Sequence, residues 1–348
     1  VEPSLFGIQQ SNRDFTLKEA WGKNQFNSSF PVALCCYLDS RNIDAVYLSI
    51  TKQKFQIGNI AIKNMFGLEP TNSDIYFAFE SQYTPYQKFI IGSLPRIDLV
   101  VQKRSNGQCL TGLEIKLTTL PDNTTYHLND AKYGSEIVVR PDTIVYLACS
   151  IASCLGKSLG DVLTDIKIED WSKPNLVLEK IDLIVYTLEM LTYELEREQQ
   201  PFLIQPIWKT VGKSPRLAEH CLDVFVWSNA GLTYFIASIA NRKNDANYIN
   251  RQTRTAIWLY KMLLDIKHYQ KFNYEKIIDN LSYNTKNDKA FASAGNITNR
   301  YMACERLQTP TITKYEIQNI ILGNGQDLLS PERRFDAILF NSPELFKS

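Results

Sequence analysis

Residues 95–117 read PRIDLVVQKRSNGQCLTGLEIKL: two runs of β-forming residues joined by a short polar turn, with Asp98, Glu114 and Lys116 set inside the apolar runs. A strand that buries one face does not carry charges there without a partner or a task. Side chains alternate along a strand, so Glu114 and Lys116 point to one face. Whether Asp98 joins them depends on register. A two-residue loop at Asn106-Gly107 pairs Asp98 with Ile115 and turns it away. A three-residue loop, Ser105-Asn106-Gly107 with Gly107 as a bulge, pairs it with Glu114. The spacing predicts the three-residue loop or a compensating bulge, because only these gather all three charges.

Gathered, the three residues form a chemical device. Two carboxylates a few ångströms apart repel, and one takes up a proton. A Mg²⁺ ion between them removes the repulsion, because this hard cation prefers oxygen ligands. Lys116 then stands beside the metal, able to orient a water or stabilise its hydroxide, which suits phosphodiester hydrolysis. The plain alternative is a salt bridge from Lys116 to either carboxylate on a solvated sheet face, and loose D…E-x-K patterns are common in any chain. Pro95 three residues before Asp98, the tight hairpin and the apolar flanks (Ile97, Leu99, Val100, Val101; Leu113, Ile115, Leu117) favour the metal site.

The rest of the chain narrows the field. At 348 residues it is one large domain or two ordinary ones. With 44% apolar and 22% charged residues it has the composition of a globular protein, and a net charge of +1 exerts no global pull on nucleic acid or membrane. A DNA-binding surface must therefore be a local basic patch. No run of 18 apolar residues suggests a membrane span, and the N-terminal stretch lacks the features of a signal peptide. Seven cysteines without a CxxC fit reduced thiols in a cytoplasm. The three histidines, His127, His220 and His268, are isolated, which removes most support for histidine metalloenzymes, HNH nucleases and Ser-His hydrolases. Neither GxxxxGK[ST] nor GxGxxG occurs, so no glycine loop supports nucleotide binding.

Periodicity and caps give a mixed α/β order. A helix is expected from about Pro31 to Asp39, entered at Phe30-Pro31, with strands at Asp44–Ile50 and Asp74–Glu80. The hairpin follows, then a helix from Pro141 to a stop at Gly156. LVLEKIDLIVYTLEMLTYELERE reads as one longer helix and FLIQPIWKTVG as a buried strand. DVFVWSNAGLTYFIASIA is either a hairpin around NAG or a strand feeding a helix. NRQTRTAIWLYKMLLDIKHYQKF is the clearest helix, with shorter ones at Tyr274–Leu281, Ile297–Leu307 and after Ser330. The expected division is a mixed α/β core over residues 1–212 that carries the charged hairpin and a largely helical part over 213–348 packed on it.

P-x-x-D, fifteen residues, then E-x-K, inside helix–strand–strand–strand–helix–strand, resembles the PD-(D/E)XK nuclease superfamily. The whole chain, especially SNRDF…WGKNQFNSSFP with PRIDLVV…LTGLEIKLTTLPD, is similar to the HindVP-like restriction endonucleases. The resemblance implies a restriction-endonuclease-like mixed sheet flanked by helices. It also implies Asp98 and Glu114 as Mg²⁺ ligands, the Ile115 carbonyl as a further one, and Lys116 as the water-activating group. Relatives often add an acidic or amide residue from upstream; Glu80, Glu69, Asn24 and Gln25 all qualify, with Glu80 favoured and a strand-end surface glutamate as its plain reading. A GRCGYC-type site is a further implication.

A base-reading surface needs Arg, Lys, Asn and Gln aimed at base edges. Arg242, Lys243, Asn247, Asn250, Arg251, Gln252 and Arg254 cluster around a helix start, with Tyr248 among them. The alternative for them is a polar loop and a solvated helix start; Arg300 and Arg306 form a weaker patch, and Thr118–Gly134 could lie along the DNA backbone. Cleavage of a palindrome in double-stranded DNA would favour a homodimer. Two rival readings stand: a non-specific or structure-specific PD-(D/E)XK repair nuclease, and a non-catalytic DNA-binding protein in which the three charges are only a salt bridge.

Overall fold

The computed structural model of the chain describes residues 8, 10–13, 23–116, 136–206, 208–211, 214–217, 224–240, 249, 251–283, 291–294, 313, 315–316 and 320. The strands are β1 (Ala45–Thr51), β2 (Lys54–Ile60), β3 (Ile75–Ser81), β4 (Ile97–Lys103), β5 (Cys109–Ile115), β6 (Glu136–Val139), β7 (Pro201–Pro206), β8 (Trp208–Val211), β9 (Ser214–Leu217), β10 (Val224–Ser228) and β11 (Phe291–Ala294). The helices are α1 (Lys23–Ser40), α2 (Ile62–Phe66), α3 (Pro141–Leu155), α4 (Leu159–Val162), α5 (Pro174–Leu178), α6 (Ile181–Leu195), α7 (Asn229–Ile239), α8 (Arg251–Tyr269) and α9 (Tyr274–Asn280).

Seven strands form one mixed sheet in the order β2-β1-β10-β7-β5-β4-β3. The β1–β10 and β5–β7 pairs are parallel and the others antiparallel. The mixed α/β architecture expected from the sequence is present. One face packs against α1 and α2 around Phe30, Leu34, Phe66 and Phe77. The other carries the larger apolar core, built with α3, α6, α7 and α8 around Tyr146, Leu188, Phe235 and Trp258. β10 is buried along its whole length and sits between β1 and β7, so a strand from beyond residue 213 completes the middle of the sheet.

The ambiguous segment at 223–240 is a strand feeding a helix: β10 ends at Ser228, whose hydroxyl accepts from the Gly231 amide and caps α7. α1 starts earlier than its sequence signals, and Pro31 lies inside it. A proline there removes one helical donor. Burial of Phe30, Val32, Leu34, Cys35 and Leu38 keeps the helix running through it. The expected single helix after residue 175 breaks at Lys180 (φ −110°, ψ 3°) into α5 and α6. The buried strand expected at 202–212 is two strands, β7 and β8. β2, whose side chains are mostly exposed, alternates only from Lys54 to Ile57 before Gly58 and Asn59 interrupt the pattern. The expected helices at Ile297–Leu307 and after Ser330 lie outside the described residues.

The outer edge of β3 is covered by residues 10–13. The Asn12 side chain donates to the Phe79 carbonyl and accepts from the Phe79 amide, both at 2.8 Å, imitating a neighbouring strand. Such cover protects an edge from pairing with other chains. α3 and its continuation to Val162 are apolar enough by composition to cross a membrane, but 61% of that window is buried inside the protein, as in a core helix.

Candidate active site

The hairpin closes by the second of the two expected routes, a compensating bulge. Lys103 and Gly107 reach across the turn, Lys103 N–H donating to the Gln108 carbonyl (2.9 Å) and Gly107 N–H to the Lys103 carbonyl (2.8 Å). The loop is therefore residues 104–107, four rather than three, with Gly107 at φ +69° where its missing side chain costs nothing. Continued unbroken, that register would set Asp98 opposite Leu113. It does not continue: Gln102 pairs with Cys109 but Val101 with Thr111, leaving Leu110 as a bulge. From there Leu99 faces Leu113, which puts Asp98 opposite Glu114. The compensating bulge sets the alignment.

The three charges meet. The Lys116 ammonium donates to Glu114 Oε1 and lies 3.7 Å from Asp98 Oδ2. Asp98 Oδ2 also accepts from the Ile115 amide at 2.9 Å. The Glu114 side chain is 6% exposed and that of Asp98 34%, so the pair forms a lip with one buried and one accessible carboxylate. The Lys116 amide donates to the Ile204 carbonyl, fixing the end of β5 against β7.

Burial and the neighbouring Asp98 push the Glu114 carboxyl above its usual range, against the opposing pull of Lys116 and Thr143. Burial alone would lower the Lys116 ammonium; Glu114 and Asp98 outweigh it and hold the pKa above its ordinary value. The ammonium already occupies the role of a cation between two carboxylates. The site is thus an all-oxygen acidic pair with a compensating cation, a donor set that fits Mg²⁺. Among the described residues no group of three His, Cys, Asp or Glu side chains gathers, so a third protein ligand must be a main-chain oxygen or come from elsewhere.

Two residues that the sequence reading did not single out hold this geometry. Thr143, in the first turn of α3, donates its hydroxyl to Glu114 Oε1 at 2.8 Å. Tyr146, one turn on and fully buried, donates to the Pro95 carbonyl at 2.7 Å and accepts from the Tyr83 amide at 3.1 Å. A polar residue opening an otherwise apolar helix was the available signal for Thr143. Removing this hydroxyl in Thr143→Val should lower the cleavage rate about 10- to 100-fold, while Thr143→Ser stays near wild type. Initial rates of plasmid nicking at saturating Mg²⁺ measure this.

Glu80 lies between the Phe79–Leu99 and Ser81–Ile97 pairs, opposite Asp98, and adopts φ +47°, a region that non-glycine residues rarely enter. It is half-exposed over an open cleft of about 470 Å³ lined also by Asn12, Ser81, Gln82 and Arg96. Arg13, stacked 4.9 Å over the Phe79 ring and bonded to Ser28 Oγ at 2.7 Å, reaches Glu80 at 3.5 Å. Burial lowers the Arg13 pKa, offset in part by Glu80 and Asp98. Glu69 is engaged by Lys63 at 3.4 Å, and the side chains of Asn24 and Gln25 lie outside the described residues.

Of the expected base-reading cluster, Arg242, Lys243, Asn247 and Asn250, with Tyr248, lie outside the described residues, as does the Arg251 side chain. Gln252 is half-buried in the first turn of α8. Arg254 is fully buried and donates to the Ser282 carbonyl at 2.8 Å, bracing α8 against the end of α9. The segments around Arg300 and Arg306 and at Thr118–Gly134 are also outside.

Known proteins bear directly on this site. The probable type II restriction enzyme HindVP of Haemophilus influenzae is 53% identical over 350 aligned residues, covering 100% of this chain and 96% of that protein. The type II restriction enzyme HgiDI of Herpetosiphon aurantiacus is 44% identical, covering 99% and 98%. No solved structure matches the chain. The model of the HindVP restriction endonuclease family matches residues 21–346, which include the whole carboxylate–lysine site. The chain belongs to the HindVP restriction endonuclease family, and is an enzyme of the type II restriction class, a site-specific deoxyribonuclease.

Proposed function

We propose that the protein hydrolyses both strands of double-stranded DNA at a specific sequence in a Mg²⁺-dependent reaction, acting as a homodimer in the cytoplasm. The observation that carries this reading is the register of β4 on β5, which brings Asp98, Glu114 and Lys116 into one cluster. Asp98, Glu114 and the Ile115 carbonyl would hold the ion, with Glu80 as an additional acid across from Asp98. Held there, Mg²⁺ would supply charge neutralisation at the phosphate and make a nearby water more acidic. Lys116 orients the attacking water and offsets the charge that develops on the phosphoryl oxygens. Thr143 holds the Glu114 carboxylate in place, and the Ile115 amide holds that of Asp98.

Recognition is assigned to the part of the chain beyond residue 213. Arg242, Lys243, Asn247, Asn250, Arg251 and Gln252 are proposed to meet DNA at the start of α8, and Arg254 to set that helix start from beneath. A site of the GRCGYC type is the recognition sequence that the family resemblance implies. Its two-fold symmetry is the reason for proposing a homodimer.

Digestion of a long unmethylated phage DNA with Mg²⁺ tests the reading. Discrete fragments whose ends share one sequence are expected. A smear would replace sequence-specific cleavage by non-specific nuclease action, and DNA left intact with both Mg²⁺ and Mn²⁺ would overturn the catalytic reading altogether.

A further inference from the structure

Two exposed arginines border the carboxylate–lysine cluster. Arg96 lies two residues before Asp98, and the register that sets Asp98 opposite Glu114 carries Arg96 opposite Lys116. Arg140 stands at the entry to α3, three residues before Thr143, whose hydroxyl bonds Glu114. Its charge opposes that of the Lys116 ammonium. Among the described residues neither guanidinium takes part in a hydrogen bond or an ion pair. The acids of the cluster and its cleft are already engaged: Glu80, which lines the cleft with Arg96, by Arg13, and Asp98 and Glu114 by Lys116. The backbone beneath both arginines is anchored. Just before Arg96, the Pro95 carbonyl accepts from Tyr146 at 2.7 Å and the Leu94 carbonyl from the Gln82 side chain. The Arg140 carbonyl accepts from the Ile144 amide at 3.2 Å, and Val139 before it pairs with Phe291. Cations gathered on anchored backbone, without acids of their own, repel one another until an anion lies among them.

We propose that Arg96 and Arg140 hold the DNA strand that is cut, each on a phosphate next to the scissile one. The inference rests on the reading that cleavage takes place at the Asp98–Glu114–Lys116 cluster, and it names the residues that seat the strand there. The charge balance selects the partner. Two carboxylates at the lip repel a phosphate backbone, and two guanidiniums beside them offset that repulsion. A planar guanidinium also meets two phosphate oxygens at once. Contacts of this kind fix the position of the strand and carry no base information, so both residues act on every DNA sequence alike.

Fluorescence anisotropy of the full chain with a short duplex carrying the sequence that the wild type cuts, in Ca²⁺ and over a series of salt concentrations, tests this. Arg96→Gln and Arg140→Gln should each weaken binding about tenfold at about 0.1 M salt. Each should also reduce the slope of log affinity against log salt by about 1, and the two together by about 2. Arg96→Lys and Arg140→Lys keep the charge and should keep the wild-type slope. In Mg²⁺ the glutamine variants should raise KM and leave kcat within about threefold of wild type. Binding weakened equally at every salt concentration, with the slope unchanged, would point to a local change of structure and overturn the proposal. Arg104→Gln, just past the far end of β4, should leave the slope as it is. An equal drop there would show a general effect of charge and overturn the proposal as well. Unmoved slopes in a protein whose cleavage requires Asp98 would overturn this inference alone. Cleavage that survives Asp98→Asn would overturn the reading on which it rests, and the inference with it.

Discussion

Asp98→Asn should lower Mg²⁺-dependent DNA cleavage by about a thousandfold or more while leaving the fold intact. The substitution keeps the size of the side chain and an oxygen that can still accept the Ile115 amide, now 2.9 Å from Oδ2. It removes one of the two charges that make the lip a cation site. It also removes a carboxylate that helps push the Glu114 carboxyl upward, so the folded protein loses a repulsion. Metal-free stability should therefore stay within about 1 kcal/mol of wild type. Cleavage and a urea melt on the same preparation separate the two effects. Activity within tenfold of wild type would remove Asp98 from the chemistry.

Lys116→Met is expected to act on both cleavage and stability. Cleavage should fall by about a thousandfold, because the water then lacks its orienting cation. In metal-free buffer the protein should also lose about 3–5 kcal/mol, the usual cost of stripping one partner from a buried ion pair. Glu114, 6% exposed and facing Asp98, is left with Thr143 but without the ammonium. The loss has a pH signature. The Glu114 carboxyl already sits high in the folded state, and without Lys116 it rises further. A carboxyl whose folded pKa is raised contributes full stability below the ordinary carboxylate value of about 4.3 and loses it as pH rises through the folded value. The variant should thus approach wild type at about pH 4.5 and depart most at about pH 7.5. Mg²⁺ should narrow the gap at neutral pH by supplying the missing positive charge. Urea melts at the two pH values, with and without Mg²⁺, measure all of this. A variant as stable as wild type at neutral pH would show that Lys116 is not needed to balance the carboxylates.

The site was legible in the sequence because it lies on one hairpin. Strand alternation fixes Glu114 and Lys116 to one face from spacing alone, and the demand that Asp98 join them restricted the turn to two solutions. The actual solution, a four-residue loop corrected by a bulge at Leu110, leaves no mark that distinguishes it from the three-residue loop: both yield the same alignment. Thr143 and Tyr146 were harder to find, since their roles arise when α3 packs on the hairpin across 29 and 51 residues of chain. Arg13 and Asn12 reach the site from still further away, through an edge contact that no local periodicity encodes. The fold class followed from the order of apolar runs. β2 and the break at Lys180 escaped because the alternation of one stops after four residues at Gly58 and the other lies within a continuous helical pattern.

The most direct test of the central claim, that the Asp98–Glu114–Lys116 cluster is a metal centre and not a structural ion pair, is a thermal melt of wild type and Asp98→Asn with and without a divalent cation. Ca²⁺ serves well, because binding is then read separately from cleavage. At about tenfold excess over its dissociation constant the ion should stabilise wild type by about 1.4 kcal/mol, a rise of about 2 °C for a chain of this length. The Asp98→Asn protein should show no rise. Equal shifts in the two proteins, or none in either, would return the three charges to a salt bridge.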